Sequence, residues 1–165
     1  MALAALHAAS FHPDYLCYMN FPRHKPYLAI SDSNVDWGQA LKQTRAWILS
    51  HPGRPVAVRD MGWVDVRQID VQHRLGDVAQ IIARNQSELP RHGILILSPV
   101  AEAGVYERAD MYRALRAREP IDVVGHCMLV YDLDTLSDGR GFKWPAPKAF
   151  PPSAAPTISP SGSPQ

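Results

Sequence analysis

The chain has 165 residues, which is enough for one domain with a hydrophobic core of its own. Its 17 basic and 16 acidic residues leave a formal net charge of +1, so the composition argues against binding to nucleic acid or to an anionic membrane surface. No apolar run reaches the ~18 residues that a membrane-spanning helix needs, and the chain as given is therefore predicted to be soluble.

The first 26 residues are predicted to be an N-terminal segment that leads into the domain. Its start, MALAALHAAS at residues 1–10, is apolar but lacks a positively charged beginning and a good cleavage pattern. It is therefore not a convincing signal peptide, and it equally fits the end of a helix whose earlier part is missing. Residues 11–18, FHPDYLCY, are expected to form a short helical turn or an extended stretch.

A strand and a helix are predicted on either side of the polar stretch SDSNVDWGQAL at residues 31–41. Apolar residues 27–30 form the strand. Residues 34–50 carry apolar side chains at three- and four-residue intervals, the pattern of an amphipathic helix packed on a sheet, and HPG directly after them predicts its end. Trp37 and Trp47 fall on the apolar stripe, so both are expected in the core rather than at a ligand.

The rest of the chain alternates short apolar runs with helical patterns. The clearest run is GILILS at residues 93–98, a continuous apolar stretch bounded by Gly and Pro that is typical of a strand buried on both faces. The other predicted elements are strands at residues 55–59 and 121–133, helices at residues 75–85 and 105–118, and a turn at residues 99–104.

Strands separated by helical segments predict an α/β domain over residues 27–136. We expect a small, mainly parallel sheet of about four strands with helices on its faces, in a Rossmann-like three-layer arrangement. Residues 137–165 are rich in Pro and Ser with few residues that form a core, and they are predicted to be a disordered tail.

Polar residues follow several of the predicted strands. In a parallel sheet Asp32, Ser33 and Asn34 would share one edge with Asp60 and Ser98, and that edge is where ligands usually bind. A second interpretation is equally open. Ser33 can cap the helix that follows, with the acidic residue three positions later completing a variant of the capping box, so the stretch would only begin and orient one helix.

Few residues form patterns that carry known chemistry. Asp32 is predicted to end a strand and Asp36 to lie in the first turn of a helix, so their spacing does not show whether they form an acid/base pair. Together with Asp60 they lack the dense acidic loop of a calcium site. No metal or cofactor is therefore expected. Cys17 and Cys127 have no zinc-binding spacing; they fit two buried thiols, or a disulfide in an oxidising compartment.

Three segments of the chain resemble one protein family. Residues 31–41 contain DSNVDWGQAL, which resembles the DSNxDWGQDL signature of bacterial membrane glycosyltransferases related to dolichyl-phosphate-mannose protein mannosyltransferases. Residues 12–20, HPDYLCYMN, are similar to the family's HPhYLxYFN element, and residues 116–133, RAREPIDVVGHCMLVYDL, resemble its closing strand. The three matches occur in the family's order.

The resemblance implies a soluble domain that follows the last transmembrane helices, on the extracytoplasmic face of the bacterial inner membrane. The family's catalytic acid lies in a loop between membrane helices, and this chain has no such loop, so no catalytic residue is expected here. Expected partners are a multi-spanning membrane glycosyltransferase subunit and a sugar or polyprenyl-phosphate sugar. The residues that match the signature, and are expected to bind substrate or to hold the signature together, are Asp32, Ser33, Asn34, Asp36, Trp37 and Gln39; the predicted sheet edge adds Asp60 to these candidates.

Two hypotheses follow, and whether the chain is an enzyme stays open. In the first, the chain is an accessory domain of a polyprenyl-phosphate-sugar-dependent membrane glycosyltransferase, truncated or split from its catalytic part and not catalytic alone. In the second, it is a free-standing module that binds a sugar or a sugar phosphate, with Asp32, Asn34 and Asp60 hydrogen-bonded to hydroxyls. A hydrolase that uses Asp32 and Asp36 ranks below both.

Overall fold

A computed structural model of the chain describes residues 2–18, 25, 27, 36–60, 89–104 and 111–145. None of the helices in these ranges is long and apolar enough to cross a membrane. The helices are α1 (Ala2–Ala9), α2 (Leu41–Ser50), α3 (Pro99–Ala103) and α4 (Leu133–Leu136), and Tyr15–Cys17 form a 3₁₀ turn; the strands are β1 (Val56–Arg59), β2 (Ile94–Leu97), β3 (Asp122–Val124) and β4 (Met128–Asp132).

The four described strands form one sheet in the order β1-β2-β4-β3. Strand β1 pairs with β2 in parallel, whereas β4 runs antiparallel to both of its neighbours. The α/β class with a four-stranded sheet is confirmed for the described residues, and the mainly parallel arrangement is wrong. The Rossmann-like three-layer arrangement is not confirmed.

The antiparallel pairing comes from a hairpin where one strand was predicted at residues 121–133. Gly125 and His126 have φ of +57° and +59°, the left-handed conformation that reverses the chain between β3 and β4. A Cβ on Gly125 would lie 2.6 Å from the Cβ of Ala40, so that position needs glycine for space as well as for φ. An apolar run does not reveal such a turn, because its hydrophobicity continues through it.

The sheet separates two groups of buried side chains. Alternate residues of β1, β2 and β4 face α2 and Phe11 on one side, and Tyr112, Leu115 and Phe142 on the other. Strand β2 is buried on both faces, as predicted. Trp144 packs against this second group, and its Nε1 donates to Pro90 O at 2.7 Å. Packed structure therefore continues to Trp144, beyond the predicted start of the tail.

Two predictions around α3 are wrong. Residues 99–104 were expected to be a turn, but Pro99–Ala103 is a helix that Ser98 caps by accepting from Val100 N, with Gly104 at φ +74° at its end. Residues 111–118, expected to be helical, form turns. Residues 28–35, 61–88 and 105–110 lie outside the described ranges, so the strand at 27–30 and the helix at 75–85 stay predictions.

The register defines two edges of the sheet. The ends of β1 and β2 lie beside the start of β4, since Leu97 pairs with both Arg59 and Leu129; we call this the strand-end edge. At the opposite, strand-start edge, Ile94 pairs with Val56 and Asp132.

An ion-pair cluster, formed by Arg54, His92, Asp132 and Asp134, closes the strand-start edge. Arg54 binds both carboxylate oxygens of Asp132 at 2.6 and 2.7 Å and one oxygen of Asp134 at 2.6 Å. His92 Nδ1 lies 2.9 Å from the other oxygen of Asp134. These contacts join the segments that precede β1 and β2 to the end of β4, so the cluster is a clasp between strands.

Candidate functional site

The DWGQ part of the polar stretch forms a turn ahead of α2. Asp36 is fully buried, and its Oδ1 accepts from Gly38 N at 2.8 Å, while Gln39 Oε1 accepts from Trp37 N at 2.7 Å. Gly38 has φ of +83°, which a helix cannot accommodate. The helix therefore begins at Leu41 with Ala40 before it, and the prediction of a helix from residue 34 is wrong. Its predicted end at His51 is confirmed.

This turn directs Trp37 towards solvent. Trp37 is 52% exposed, so the prediction that it lies in the core is wrong. Trp47, one element further on, is half-buried, and its Nε1 donates to Asp122 Oδ2 at 2.7 Å. The amphipathic pattern placed both tryptophans on one stripe, but that stripe begins only where the helix does.

Gln39 connects the turn to two cysteines. Its Nε2 lies 3.5 Å from Cys17 Sγ and 3.8 Å from Cys127 Sγ, within the range of weak hydrogen bonds to sulfur. Neither cysteine is in a disulfide, and both are buried. Cys17 ends the 3₁₀ turn, and Cys127 follows Gly125 and His126 in the β3–β4 hairpin. Three segments that are far apart in sequence therefore meet at one amide group.

Two further polar residues extend this site. Gln43, in the first turn of α2, donates through Nε2 to Asp14 Oδ1 at 2.9 Å, and Asp14 is buried. We call the six residues of this site the signature cluster: Asp14, Cys17, Asp36, Gln39, Gln43 and Cys127. The DWGQ prediction found two of them. The other four were missed because nothing in local sequence shows which distant residues Gln39 and α2 will meet.

Several buried oxygens near the signature cluster have no hydrogen-bond partner among the described residues. They are Asp36 Oδ2, Gln43 Oε1 and Thr44 Oγ1. A buried polar atom without a partner costs stability, typically about 1–3 kcal/mol. Native proteins keep few such atoms, and a group of them indicates strain or a function.

The pKa values of the two thiols are shifted in opposite directions. The pKa of Cys17 is lowered, chiefly because the Cys127 thiol donates a hydrogen bond to it and secondly because Gln39 does, against burial and the nearby charges of Asp14 and Asp36. The pKa of Cys127 is raised, because its proton is held in that hydrogen bond and because burial disfavours the thiolate. Cys17 is therefore the sulfur that ionises first.

The strand-end edge carries other buried polar groups. Asp60 follows β1 and Ser98 follows β2, and both are buried side by side because the strands are parallel, as expected. In α3, which follows Ser98, Glu102 Oε1 accepts from the hydroxyl of Tyr131 at 2.5 Å, and burial raises the pKa of Glu102. Asp32, Ser33 and Asn34 lie outside the described residues, so their place at this edge stays a prediction.

The described residues contain no group of three or more His, Cys, Asp or Glu side chains placed to hold a metal ion. No family model matches the chain, and neither the curated proteins nor the solved structures compared with it give a match. What the described geometry offers is a buried polar cluster that positions a turn, with an exposed tryptophan on that turn.

Proposed function

We propose that the chain is a soluble accessory domain of a polyprenyl-phosphate-sugar-dependent membrane glycosyltransferase, separated from the transmembrane catalytic part and not catalytic alone. One observation carries the proposal. The three segments that resemble this family contribute Cys17, Gln39 and Cys127 to the same contact, although two of them are separated by 88 positions in the sequence. Three unrelated matches would have no reason to meet in space.

The burial of the cluster supports an accessory role. Asp36 is fully buried and its Oδ1 accepts from the backbone of its own turn, so this carboxylate is not placed to reach a sugar from solvent. The residue that the turn exposes is Trp37. Exposed tryptophans are frequent anchors of protein interfaces, and on this proposal Trp37 faces the membrane subunit at the extracytoplasmic side.

A complementation assay tests this proposal. A glycosyltransferase of this type that lacks its own soluble domain is assayed for sugar transfer from a polyprenyl-phosphate donor, with and without this chain. We expect transfer only when both parts are present, and at least a tenfold loss with Trp37→Ala, because truncating an interface anchor costs about 2 kcal/mol or more. Arg45→Ala, at an exposed position of α2, is the matched control.

Two results would contradict the proposal. Sugar transfer by the isolated chain would show that it is catalytic alone. Complementation that is unaffected by Trp37→Ala would remove the proposed interface. A membrane protein encoded next to this chain would add support, since split enzymes need both parts.

The exposure of Trp37 also favours a second candidate, a free-standing module that binds a sugar or a sugar phosphate. The face of an indole ring packs well against the C–H surface of a sugar, and polar groups beside it orient the hydroxyls. Titration with sugars and sugar phosphates should then show saturable binding that Trp37→Ala, Asp32→Ala and Asn34→Ala abolish. Unchanged binding by these variants would exclude this face.

A further inference from the structure

The two cysteines of the signature cluster are held together from both sides. On one side, the ring of Phe11 lies against His126, with centroids 4.6 Å apart, and this contact fixes the N-terminal segment on the hairpin turn. On the other side, Gly125 touches Ala40 so closely that no Cβ would fit. The chain segments that carry Cys17 and Cys127 are therefore packed against each other and against the DWGQ turn.

The sulfur atoms themselves are close. Gln39 Nε2 contacts Cys17 Sγ at 3.5 Å and Cys127 Sγ at 3.8 Å, so both sulfurs lie against the same amide nitrogen. Cys17 Sγ in addition contacts Gly125 O, the carbonyl two residues before Cys127, at 3.7 Å. Two thiols that share one amide donor form a dithiol that is arranged for reaction.

We propose that Cys17 and Cys127 are a site of reversible oxidation, at which small-molecule disulfides convert the dithiol into an intramolecular disulfide. The bond would join the N-terminal segment to the β3–β4 hairpin directly beneath the DWGQ turn. This inference does not depend on the proposed function, because it uses only the contacts of the two thiols.

The reaction balances with one equivalent of a disulfide such as oxidised glutathione. The thiolate of Cys17 attacks one glutathione sulfur, which forms a mixed disulfide and releases one glutathione thiolate. Cys127 loses its proton and displaces the second glutathione thiolate from Cys17, which forms the Sγ–Sγ bond. The two cysteine sulfurs are oxidised, the added disulfide is reduced, and the two protons from the cysteines end on the two glutathiones.

The burial of both thiols sets the rate of this reaction. Because neither sulfur is exposed, the oxidant reaches Cys17 only when the N-terminal segment opens locally. The 3₁₀ turn that carries Cys17 spans only residues 15–17, and Tyr15 within it is 55% exposed, but the opening has to break the contacts of Cys17 with Gln39 and with Gly125 O. We expect oxidation of the native protein to be slower than that of the urea-unfolded chain but to give one product.

The test uses the full chain, incubated under native conditions in a glutathione redox buffer. We expect the mass of the protein to fall by two hydrogen atoms and a peptide map to link the Cys17 peptide to the Cys127 peptide. The disulfide closes a loop of about 110 residues, which should raise Tm by about 10 °C. Dithiothreitol should reverse both changes.

Cys17→Ser and Cys127→Ser are matched controls: neither can form the intramolecular disulfide, so neither should show a rise in Tm, and Cys127→Ser should carry a single glutathione on Cys17. Circular dichroism shows whether each is folded, and the wild-type peptide map decides the question even if neither folds. The proposal is overturned if the native wild-type chain yields only separate glutathione adducts, only disulfide-linked dimers, or no product in the most oxidising buffer. A linked product whose Tm is unchanged or lowered would also overturn it, because the native geometry would then not suit the bond.

Discussion

The ion-pair cluster at the strand-start edge and the signature cluster beside the β3–β4 hairpin both gather polar side chains, but they differ in how completely those side chains are paired. In the ion-pair cluster, all four carboxylate oxygens of Asp132 and Asp134 have partners, which include Arg54, His92 and three backbone N–H groups. In the signature cluster and beside it, Asp36, Gln43 and Thr44 each bury an oxygen that has no partner among the described residues. The ion-pair cluster is half-exposed and its carboxylates are fully paired, whereas the signature cluster is buried and its polar atoms are incompletely paired.

This difference separates a structural role from a functional one. A fully paired cluster stabilises the fold by joining strand ends, and nothing more is needed to explain its residues. A buried cluster that keeps unpaired oxygens costs stability, and proteins keep such groups where function requires them. The comparison predicts that removing a charge from the ion-pair cluster destabilises the protein. Removing an unpaired polar group in or beside the signature cluster should be harmless or stabilising.

The largest expected effect is at the ion-pair cluster. Asp132→Ala removes both bonds to Arg54 and the cap of α4, where Asp132 accepts from Asp134 N and Thr135 N. We expect the free energy of unfolding to fall by about 2 kcal/mol, of which the cap supplies about half. The ion pair adds less than a buried pair would, because the Arg54 side chain is 38% exposed and water screens it. Urea unfolding at pH 7 measures the loss.

The matched control is Glu119→Ala, which removes an ion pair with Lys25 in which both side chains are exposed. It should leave the urea midpoint unchanged, because exposed ion pairs add little. If both variants lose the same stability, the ion-pair cluster is not the clasp that its geometry indicates.

The second prediction concerns pH. Asp132 and Glu102 should change the free energy of unfolding in opposite directions as pH rises. Bonds to Arg54 lower the pKa of Asp132, so its contribution is fully present above the ordinary aspartate pKa of about 3.9 and is lost as pH falls through the folded value. Burial raises the pKa of Glu102, so its contribution is present below about 4.3 and is lost as pH rises through its folded pKa.

Glu102→Gln tests this difference, since the amide keeps an oxygen that accepts from Tyr131 but has no charge to bury. We expect the variant to be about 1 kcal/mol more stable than the wild type at pH 7 and of equal stability near pH 4. Urea unfolding at both pH values measures this, with Glu119→Gln as the control without a pH effect. A Glu102→Gln variant that is less stable at pH 7 would show that the ionised carboxylate is needed there.

The smallest effect concerns the hydroxyl of Thr44, which is fully buried in α2. Thr44→Val replaces an unpaired hydroxyl by a methyl group of similar size, and we expect a gain of about 0.5 kcal/mol in the free energy of unfolding. Thr44→Ser is the control, because it keeps the hydroxyl and loses the methyl group, and it should destabilise. Thermal unfolding compares the two. A loss of stability in Thr44→Val would mean that the hydroxyl has a partner.

The sequence by itself determined the parts of the fold that depend on local patterns. Residues 93–98 form a strand buried on both faces because an unbroken apolar run between Gly and Pro leaves no polar face to expose. Helix α2 ends where HPG predicts, since Gly and Pro act on the backbone regardless of what surrounds them. Polar residues after β1 and β2 likewise marked the strand-end edge, where Asp60 and Ser98 lie.

Only the tertiary structure decided the direction of the last strands and the composition of the signature cluster. Hydrophobicity does not encode strand direction. The hairpin at Gly125 and His126 is recognised only in the structure, where both residues have positive φ and Gly125 packs closely against Ala40. The same holds for SDSNVDWGQAL: its spacing suggested a helix cap, but Gly38 takes a positive φ and the side chain of Gln39 reaches two cysteines from distant segments. Such a site is decided by contacts between residues that are far apart in sequence. Bringing them together costs chain entropy, and only the packing of the folded protein offsets that cost.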